Sequence, residues 1–365
     1  MKENKLFTSE VLGSFELKNR IVMAPMTRCR AVGNLPNELI AEYYKQRSGA
    51  GLIITEGTSP SPNGLGYARI PGIYSTKQVD GWKKTTAAVH ERGGKIFIQF
   101  MHTGRISHRL NMPVGAKILA PSAVKAAGQM WTDSQQMQEL PVPKEMTREE
   151  LMQTKAQFVA SAKNAMEAGF DGVELHAANG YLLEQFLSPI SNIRKDQFGG
   201  DIENRCRFVL EVVAEVADEI GSRKTGIRIS PYGIASDMPL YPEIETTYNY
   251  LSDQLNKLGI AYIHIVDHSA MGSPVVPLKI KNHIRTNFKN IIILSGGYDL
   301  ERAEKDVQSG LGDLVAFGRA FINNPDLAER LKNSWPLSSE LHMDLFYTAD
   351  EKGYTDYPVH PGSYE

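Results

Sequence analysis

The chain predicts an α/β fold: a single-domain (β/α)8 barrel over residues 1–365, with an N-terminal hairpin and long loops after its third and fourth strands. Three observations carry this. Eight short apolar runs recur along the chain, each bounded by Gly, Pro or charged residues. Their apolarity is continuous rather than alternating, as parallel strands buried on both faces require. Helical patterns separate the runs, and several end in glycine (Gly49, Gly93, Gly169, Gly221, Gly259, Gly310), a frequent helix stop. Strand–helix alternation repeated eight times is a closed barrel. A doubly wound sheet would show G-x-G-x-x-G after its first strand, and none is there.

In chain order, residues 6–18 turn back at Gly13-Ser14 and predict a hairpin covering the barrel floor. The first strand is 20–25. A helix over 39–48 precedes the second strand at 51–56, and one over 79–92 precedes the third at 95–100. Residues 103–144, rich in Pro, Gly and Gln, form an excursion. The helix over 148–168 opens on Thr147-Arg-Glu-Glu150, a capping box that satisfies two free N–H groups of its first turn. The fourth strand is 172–176, with a second excursion at 188–204. Helices over 204–220, 246–258 and 300–309 accompany the remaining strands at 226–230, 261–266, 290–295 and 313–317. A plain barrel takes about 250 residues, so this chain has room for such loops where barrel enzymes build their sites.

The composition fits a water-soluble enzyme: 42% hydrophobic, 22% charged, net charge −2. The balance carries no electrostatic footprint for nucleic acid, and no apolar run approaches the ~20 residues of a membrane span. The first residues lack the apolar core of a signal peptide. Two cysteines, Cys29 and Cys206, form neither a disulfide framework nor a C-x-x-C pair. A reduced, cytoplasmic protein is expected. No metal is expected either: His90, His102, His108, His264, His268, His283, His342 and His360 have no ligand spacing and read as structural or surface residues.

The chemistry concentrates at strand ends, where a barrel places its active site. After the fourth strand, His176 and Asn179 lie three apart on a turn, and Tyr181 follows. Two donors converging on one oxygen beside a phenol suit polarisation and protonation of an activated double bond. A capping Asn and a packed Tyr are the plainer alternative. After strands seven and eight, Gly296-Gly297 and Gly318-Arg319 form a corner where backbone N–H groups and a guanidinium can hold a phosphate. Arg228 lies inside the fifth strand and needs an anionic partner, from the protein or from a ligand. Gln99, inside the third strand, can donate and accept.

These residues come within longer motifs: Ala24-Pro-Met-Thr27-Arg, Gln99-Phe-Met-His-Thr-Gly-Arg105, His176-Ala-Ala-Asn179-Gly-Tyr181, the run from Phe186 to Arg205 containing Phe198-Gly-Gly-Asp, Arg228-Ile-Ser-Pro, Ser295-Gly-Gly-Tyr298-Asp, Ala316-Phe-Gly-Arg319 and Gly353-Tyr-Thr-Asp-Tyr-Pro358. In this order, over nearly the whole chain, they resemble the Old Yellow Enzyme family of FMN-dependent ene-reductases, close to its N-ethylmaleimide and nitrate-ester reductase branch.

The resemblance implies non-covalent FMN held by Pro25, Met26, Thr27, Gly57, Gln99, Arg228, Gly296, Gly297, Gly318 and Arg319. It implies NADPH or NADH as reductant, and small electrophilic alkenes, with nitro or nitrate-ester compounds, as substrates. His176 and Asn179 would bind the substrate oxygen, Tyr181 would donate the proton, and Thr27 would tune the flavin; Tyr67, Met101 and Tyr347 would line the pocket. A xenobiotic-detoxifying monomer or homodimer is expected. Departures are Asn179 where close relatives have His, Met101 where many have Trp, Thr27 where a thermophilic-like branch has Cys, and Gly57 where many have Ala, the last expected to change little. A hydroxyacid dehydrogenase barrel would instead need an arginine pair for a carboxylate, and a non-catalytic flavin barrel would lack the donors. A dienoyl-CoA reductase would add a cluster and a second dinucleotide domain.

Overall fold

The computed structural model describes residues 4–364. Eight parallel strands close into a barrel: β1 (Ile21–Met23), β2 (Leu52–Ile54), β3 (Ile96–Phe100), β4 (Gly172–Ala177), β5 (Thr225–Ile229), β6 (Tyr262–Val266), β7 (Ile291–Ser295) and β8 (Leu314–Phe317). Each pairs with the next in the chain, and β8 returns to β1 through Val315↔Ile21 and Phe317↔Met23. All eight lie where the apolar runs predict them.

The continuous apolarity of the strands has two destinations. Ile21, Ile53, Ile98, Leu175, Ile227, Ile263, Leu294 and Val315 pack outward in the main hydrophobic cluster with the surrounding helices. The alternate positions Val22, Leu52, Phe97, Tyr262, Ile293 and Leu314 fill the lumen. Leu12 and Leu17 of the hairpin Glu10–Leu12/Phe15–Leu17 join that second cluster, and Phe15 meets Phe97 edge-on at 6.3 Å between ring centres. The hairpin therefore does close the floor. Its turn places Gly13 at φ +60°.

The outer helices include α1 (Glu38–Gln46), α2 (Thr76–Glu91), α3 (Arg148–Glu167), α4 (Leu182–Leu187), α5 (Ile202–Ile220), α6 (Ile244–Leu258), α7 (Leu278–Asn287), α8 (Leu300–Gln308), α9 (Arg319–Asn323) and α10 (Leu327–Asn333). The capping box at Thr147 and Glu150 forms with both bonds present. Helix α7 escapes the sequence pattern because its buried face consists of Ile280, Lys281 and Ile284 alone. The excursion after β3 is anchored structure: Gln129–Thr132 pairs antiparallel with Gln136–Glu139, and Leu119–Ala120 runs beside Lys144–Glu145. In the excursion after α4, Arg194 donates to the carbonyls of Pro121 and Met146, both at 2.8 Å, and so folds that loop against the barrel.

Candidate active site

The lumen changes character along its axis. Above the apolar floor, the interior positions become Gln99, Glu174, Arg228, His264 and Ser295. Glu174 is wholly buried. It accepts from Gln99 Nε2 at 2.7 Å through one oxygen and pairs with His264 Nδ1 at 2.9 Å through the other. His264 Nε2 meets Ser295 Oγ at 3.0 Å, so a chain of polar contacts crosses the barrel from β3 to β7. Burial pushes the Glu174 carboxyl up, but His264, Gln99 and nearby Arg228 more than offset it, and the group is held below the usual range.

Arg228 stands beside this chain without joining it. Its register neighbours are His176 on β4 and His264 on β6. Its Nε is buried with no hydrogen-bond partner in the protein. A buried cation left unpaired costs free energy unless an anion arrives. The Nδ1 of neighbouring His176 is also buried and unpartnered. Burial first, then Arg228, His264 and His268, hold the His176 ring far below its ordinary pKa. It is therefore neutral and presents one N–H.

The turn after β4 is fastened from below. Asn179 adopts φ +60° and Gly180 φ +77°. Asn179 N donates to Ser230 Oγ at 2.9 Å, Ser230 donates on to Glu184 Oε1 at 2.8 Å, and Gly180 N donates to Glu184 Oε2 at 2.5 Å. Tyr248 adds a third bond to Glu184 at 2.7 Å. Burial lifts the Glu184 carboxyl to about 7. The Asn179 side chain faces the other way: its Oδ1 lies 2.6 Å from His268 Nε2.

Tyr181 caps α4 and stands edge-on to the His176 ring, 5.0 Å between centres. Its hydroxyl is 3.0 Å from that of Tyr67. Burial, then Tyr67 and Tyr347, raise the Tyr181 phenol far above its ordinary range, so it stays protonated and can act as an acid. Met101, on the same side, packs with Cys29, Leu65, Tyr67 and Tyr181. Tyr347 is largely exposed and reaches the rim on a C-terminal strap. Arg28 donates to the carbonyls of Phe346 at 3.2 Å and Gly353 at 2.6 Å, and Arg30 to those of Leu345, Asp350 and Lys352. Tyr354 stacks on Tyr43 at 4.0 Å to complete the clamp.

Glu56, just past β2, braces the opposite loop. Its Oε2 accepts from the N–H groups of Arg28 and Cys29 at 3.1 and 3.3 Å, which fixes the chain leaving Thr27. Its Oε1 is buried without a partner. Pro25 is buried, Met26 and Thr27 are half-buried, and a Cβ on Gly318 would lie 3.6 Å from Met26 Sδ, so the loops after β1 and β8 adjoin. Gly57 corrects an expectation. A Cβ there would lie 2.5 Å from Met101 Sδ and 2.9 Å from Met101 Cβ. Alanine at this position would force Met101 to move, so the two residues are matched in size.

At the seventh strand end, Gly296 sits at φ +134°, and any Cβ would fall 2.0 Å from the Asp267 carbonyl. Gly297 follows at φ +62°. Only glycine fits this turn, which Arg302 holds by donating to Gly296 O at 2.8 Å while stacking on Tyr298. Arg319 opens α9 and is exposed. An unpartnered buried Arg228, an acceptor-and-donor amide at Gln99 and a glycine cradle beside an unpaired surface arginine's helix together suit an anionic heteroaromatic carrying a phosphate. The residues present therefore fit FMN.

The strand-end residues singled out from the sequence thus meet around one mouth. Sequence reasoning placed Glu56 at a strand end without its bracing role, and missed His268, Glu184 and the Arg28–Arg30 clamp. The pattern Arg28-Cys-Arg30, two buried cations flanking a buried thiol, is the one signal that was present. Among the described residues no helix is long and apolar enough to cross a membrane, and no group of three or more His, Cys, Asp or Glu side chains is placed to hold a metal ion.

Comparison with known proteins agrees with this geometry. Residues 5–338 match the model of the NADH:flavin oxidoreductase / NADH oxidase family. Among curated proteins, the chain is 39% identical over 360 residues to a putative 12-oxophytodienoate reductase of Oryza sativa subsp. japonica, covering 98% of each. It is also 39% identical over 354 residues to a probable flavin mononucleotide-dependent alkene reductase of Leishmania infantum, covering 95% of each. Among solved structures, morphinone reductase superposes with a TM-score of 0.94 at 40% identity, over 99% of this chain and 97% of that one. It has also been solved with tetrahydroNAD. Fold, site and relatives define an FMN-dependent oxidoreductase built on a (β/α)8 barrel. Within that class the chain belongs to the NADH:flavin oxidoreductase / NADH oxidase family, as an Old Yellow Enzyme-type ene-reductase.

Proposed function

We propose that the chain reduces the C=C bond of small α,β-unsaturated carbonyls, maleimides and nitroalkenes at the expense of NADPH or NADH, and accepts nitro or nitrate-ester compounds at the same mouth. The observation that carries this reading is an unpartnered His176, edge-on to Tyr181 and in register with an unpartnered Arg228, with Asn179 on the same turn. Bound FMN would supply the two-electron carrier, passing a hydride from nicotinamide to the substrate's β-carbon. Gln99, Arg228 and the backbone of residues 25–27 would hold its ring, with Gly57 against it, and Gly296, Gly297, Gly318 and Arg319 its phosphate.

The protein's own work is to bind and to move one proton. Neutral His176 and the amide of Asn179 donate to the substrate's carbonyl or nitro oxygen, stabilising the charge that grows there as the double bond accepts a hydride. Two such donors also fix which carbon faces the reductant. Tyr181 then gives its phenolic proton to the α-carbon. Tyr67, 3.0 Å away, holds that hydroxyl in place. Met101 and Tyr347 shape the pocket wall.

The test is an anaerobic titration of the purified protein. The expected result is a yellow protein that releases FMN on acid precipitation, bleaches with NADPH or NADH and recovers its colour with one equivalent of 2-cyclohexenone, yielding cyclohexanone. Colour that is absent, or that fails to return with any activated alkene, would overturn the reading.

A further inference from the structure

The backbone and side chain of Asn179 are held by different parts of the barrel. The backbone is fastened through Ser230 and Gly180 to Glu184. The side-chain amide is held by His268, 89 residues later, at the start of the 3-10 turn His268–Met271 that follows β6. An asparagine amide has two nearly isosteric orientations, one presenting NH2 to a ligand and the other presenting oxygen. The contact at Oδ1 selects between them. A donor there leaves NH2 for the ligand, and an acceptor there reverses the amide.

We propose that His268 is a positioning residue: its Nε2–H, donated to Asn179 Oδ1, fixes the amide so that NH2 faces the substrate oxygen. This rests on the reading of Asn179 as an oxygen-binding donor. His268 is itself held in place. Asp267 Oδ1 accepts from Ser269 N at 3.1 Å, its Oδ2 pairs with Lys281 at 2.8 Å, and His268 O accepts from Ser273 N at 3.2 Å. Burial and Arg228 hold the ring down to about 4 against the opposing pull of Asp267. A neutral ring has one N–H to give, and the 2.6 Å contact places it on Nε2.

The test uses the FMN-loaded enzyme and 4-hydroxybenzaldehyde, followed by its long-wavelength charge-transfer band with flavin. His268→Gln and His268→Glu are matched in shape, and their terminal atoms reach about as far as Nε2, but the first offers N–H and the second only oxygen. The glutamate variant is expected to bind the phenol at least tenfold more weakly than the parent, since a charged-group hydrogen bond replaced by a repulsive contact costs one to two decades. The glutamine variant should stay within about threefold, and His268→Ala should fall between. In an Asn179→Ala background the glutamine and alanine variants of His268 should bind alike, because both are uncharged and the amide they would orient is gone. Flavin content and thermal midpoint report folding separately. Equal binding by the glutamine and glutamate variants, with Asn179→Ala clearly weakened, would overturn the role of His268. An Asn179→Ala variant that binds the phenol as well as the parent would instead overturn the reading beneath it.

Discussion

The two ends of the barrel lumen solve opposite problems with the same strands. At the floor, Phe97, Tyr262, Ile293 and Leu314 interlock beneath Leu12 and Leu17, and Gly226 leaves the room that the Tyr262 ring occupies. At the mouth, two to four residues further along the same strands, the interior positions are Gln99, Glu174, His176, Arg228 and His264, and buried atoms of Arg228, His176 and Glu56 lack partners. The floor is packed as a core is packed, for stability. The mouth holds buried polar groups that the protein itself leaves partly unpartnered, and proteins concentrate such unsatisfied and shifted groups where chemistry happens. Variants at the two ends should therefore fail in different ways.

The largest expected effect lies at the mouth. Tyr181→Phe should slow reduction of a cyclohexenone by about 10²–10⁴-fold, the usual contribution of a general acid. Flavin reduction by NADPH and the reduction of quinones, which draw their protons elsewhere, should hardly change. Stopped-flow traces of the two half-reactions separate these outcomes; an equal loss in both would mean that Tyr181 only shapes the pocket. At the floor, Phe97→Ala should destabilise the fold by about 3–5 kcal/mol, the cost of a large core cavity, while the folded fraction keeps its flavin affinity. Denaturant melts with parallel flavin titration would reveal any coupling that breaks the division.

Glu56 gives the mouth a pH signature. Burial lifts its carboxyl from 4.5 to about 7, outweighing the bonds from Arg28 and Cys29. A carboxyl raised in the folded state favours folding below its unfolded pKa and loses that contribution as pH climbs through the folded value. Glu56→Gln does not titrate, so its stability relative to the parent should rise by roughly 3 kcal/mol between pH 4 and pH 8. A difference that stays flat across that range would remove Glu56 as a strained group. Smaller still, Arg228→Met should weaken FMN binding by about 10–10²-fold, as expected for charge-assisted hydrogen bonds, read by flavin titration of the purified variant.

The contrast also explains what the chain reveals before it is folded. All eight strands are visible because each is apolar on both faces, but that same continuity conceals which residues enter the lumen. Arg228 and Gln99 stand out as polar breaks in apolar runs, and both mark the mouth. Helix α7 is hidden because its inward face includes a lysine, Lys281, engaged with Asp267. His268 is hidden for a different reason. Its partner is 89 residues away, and they meet only because β4 and β6 flank β5. Gly57 could be compared with relatives one position at a time, but its size is set by Met101, a contact that exists only after folding.

The central claim is that the mouth grips an oxygen between His176 and Asn179. Replacing both by alanine in the FMN-loaded enzyme and titrating 4-hydroxybenzaldehyde tests this most directly. Two hydrogen bonds to a charged acceptor, each worth about 1.5–3 kcal/mol, should be lost, so the charge-transfer band should vanish at ligand concentrations that saturate the parent while the bound flavin spectrum remains. A double variant that retains FMN and binds the phenol as tightly as the parent would contradict the account.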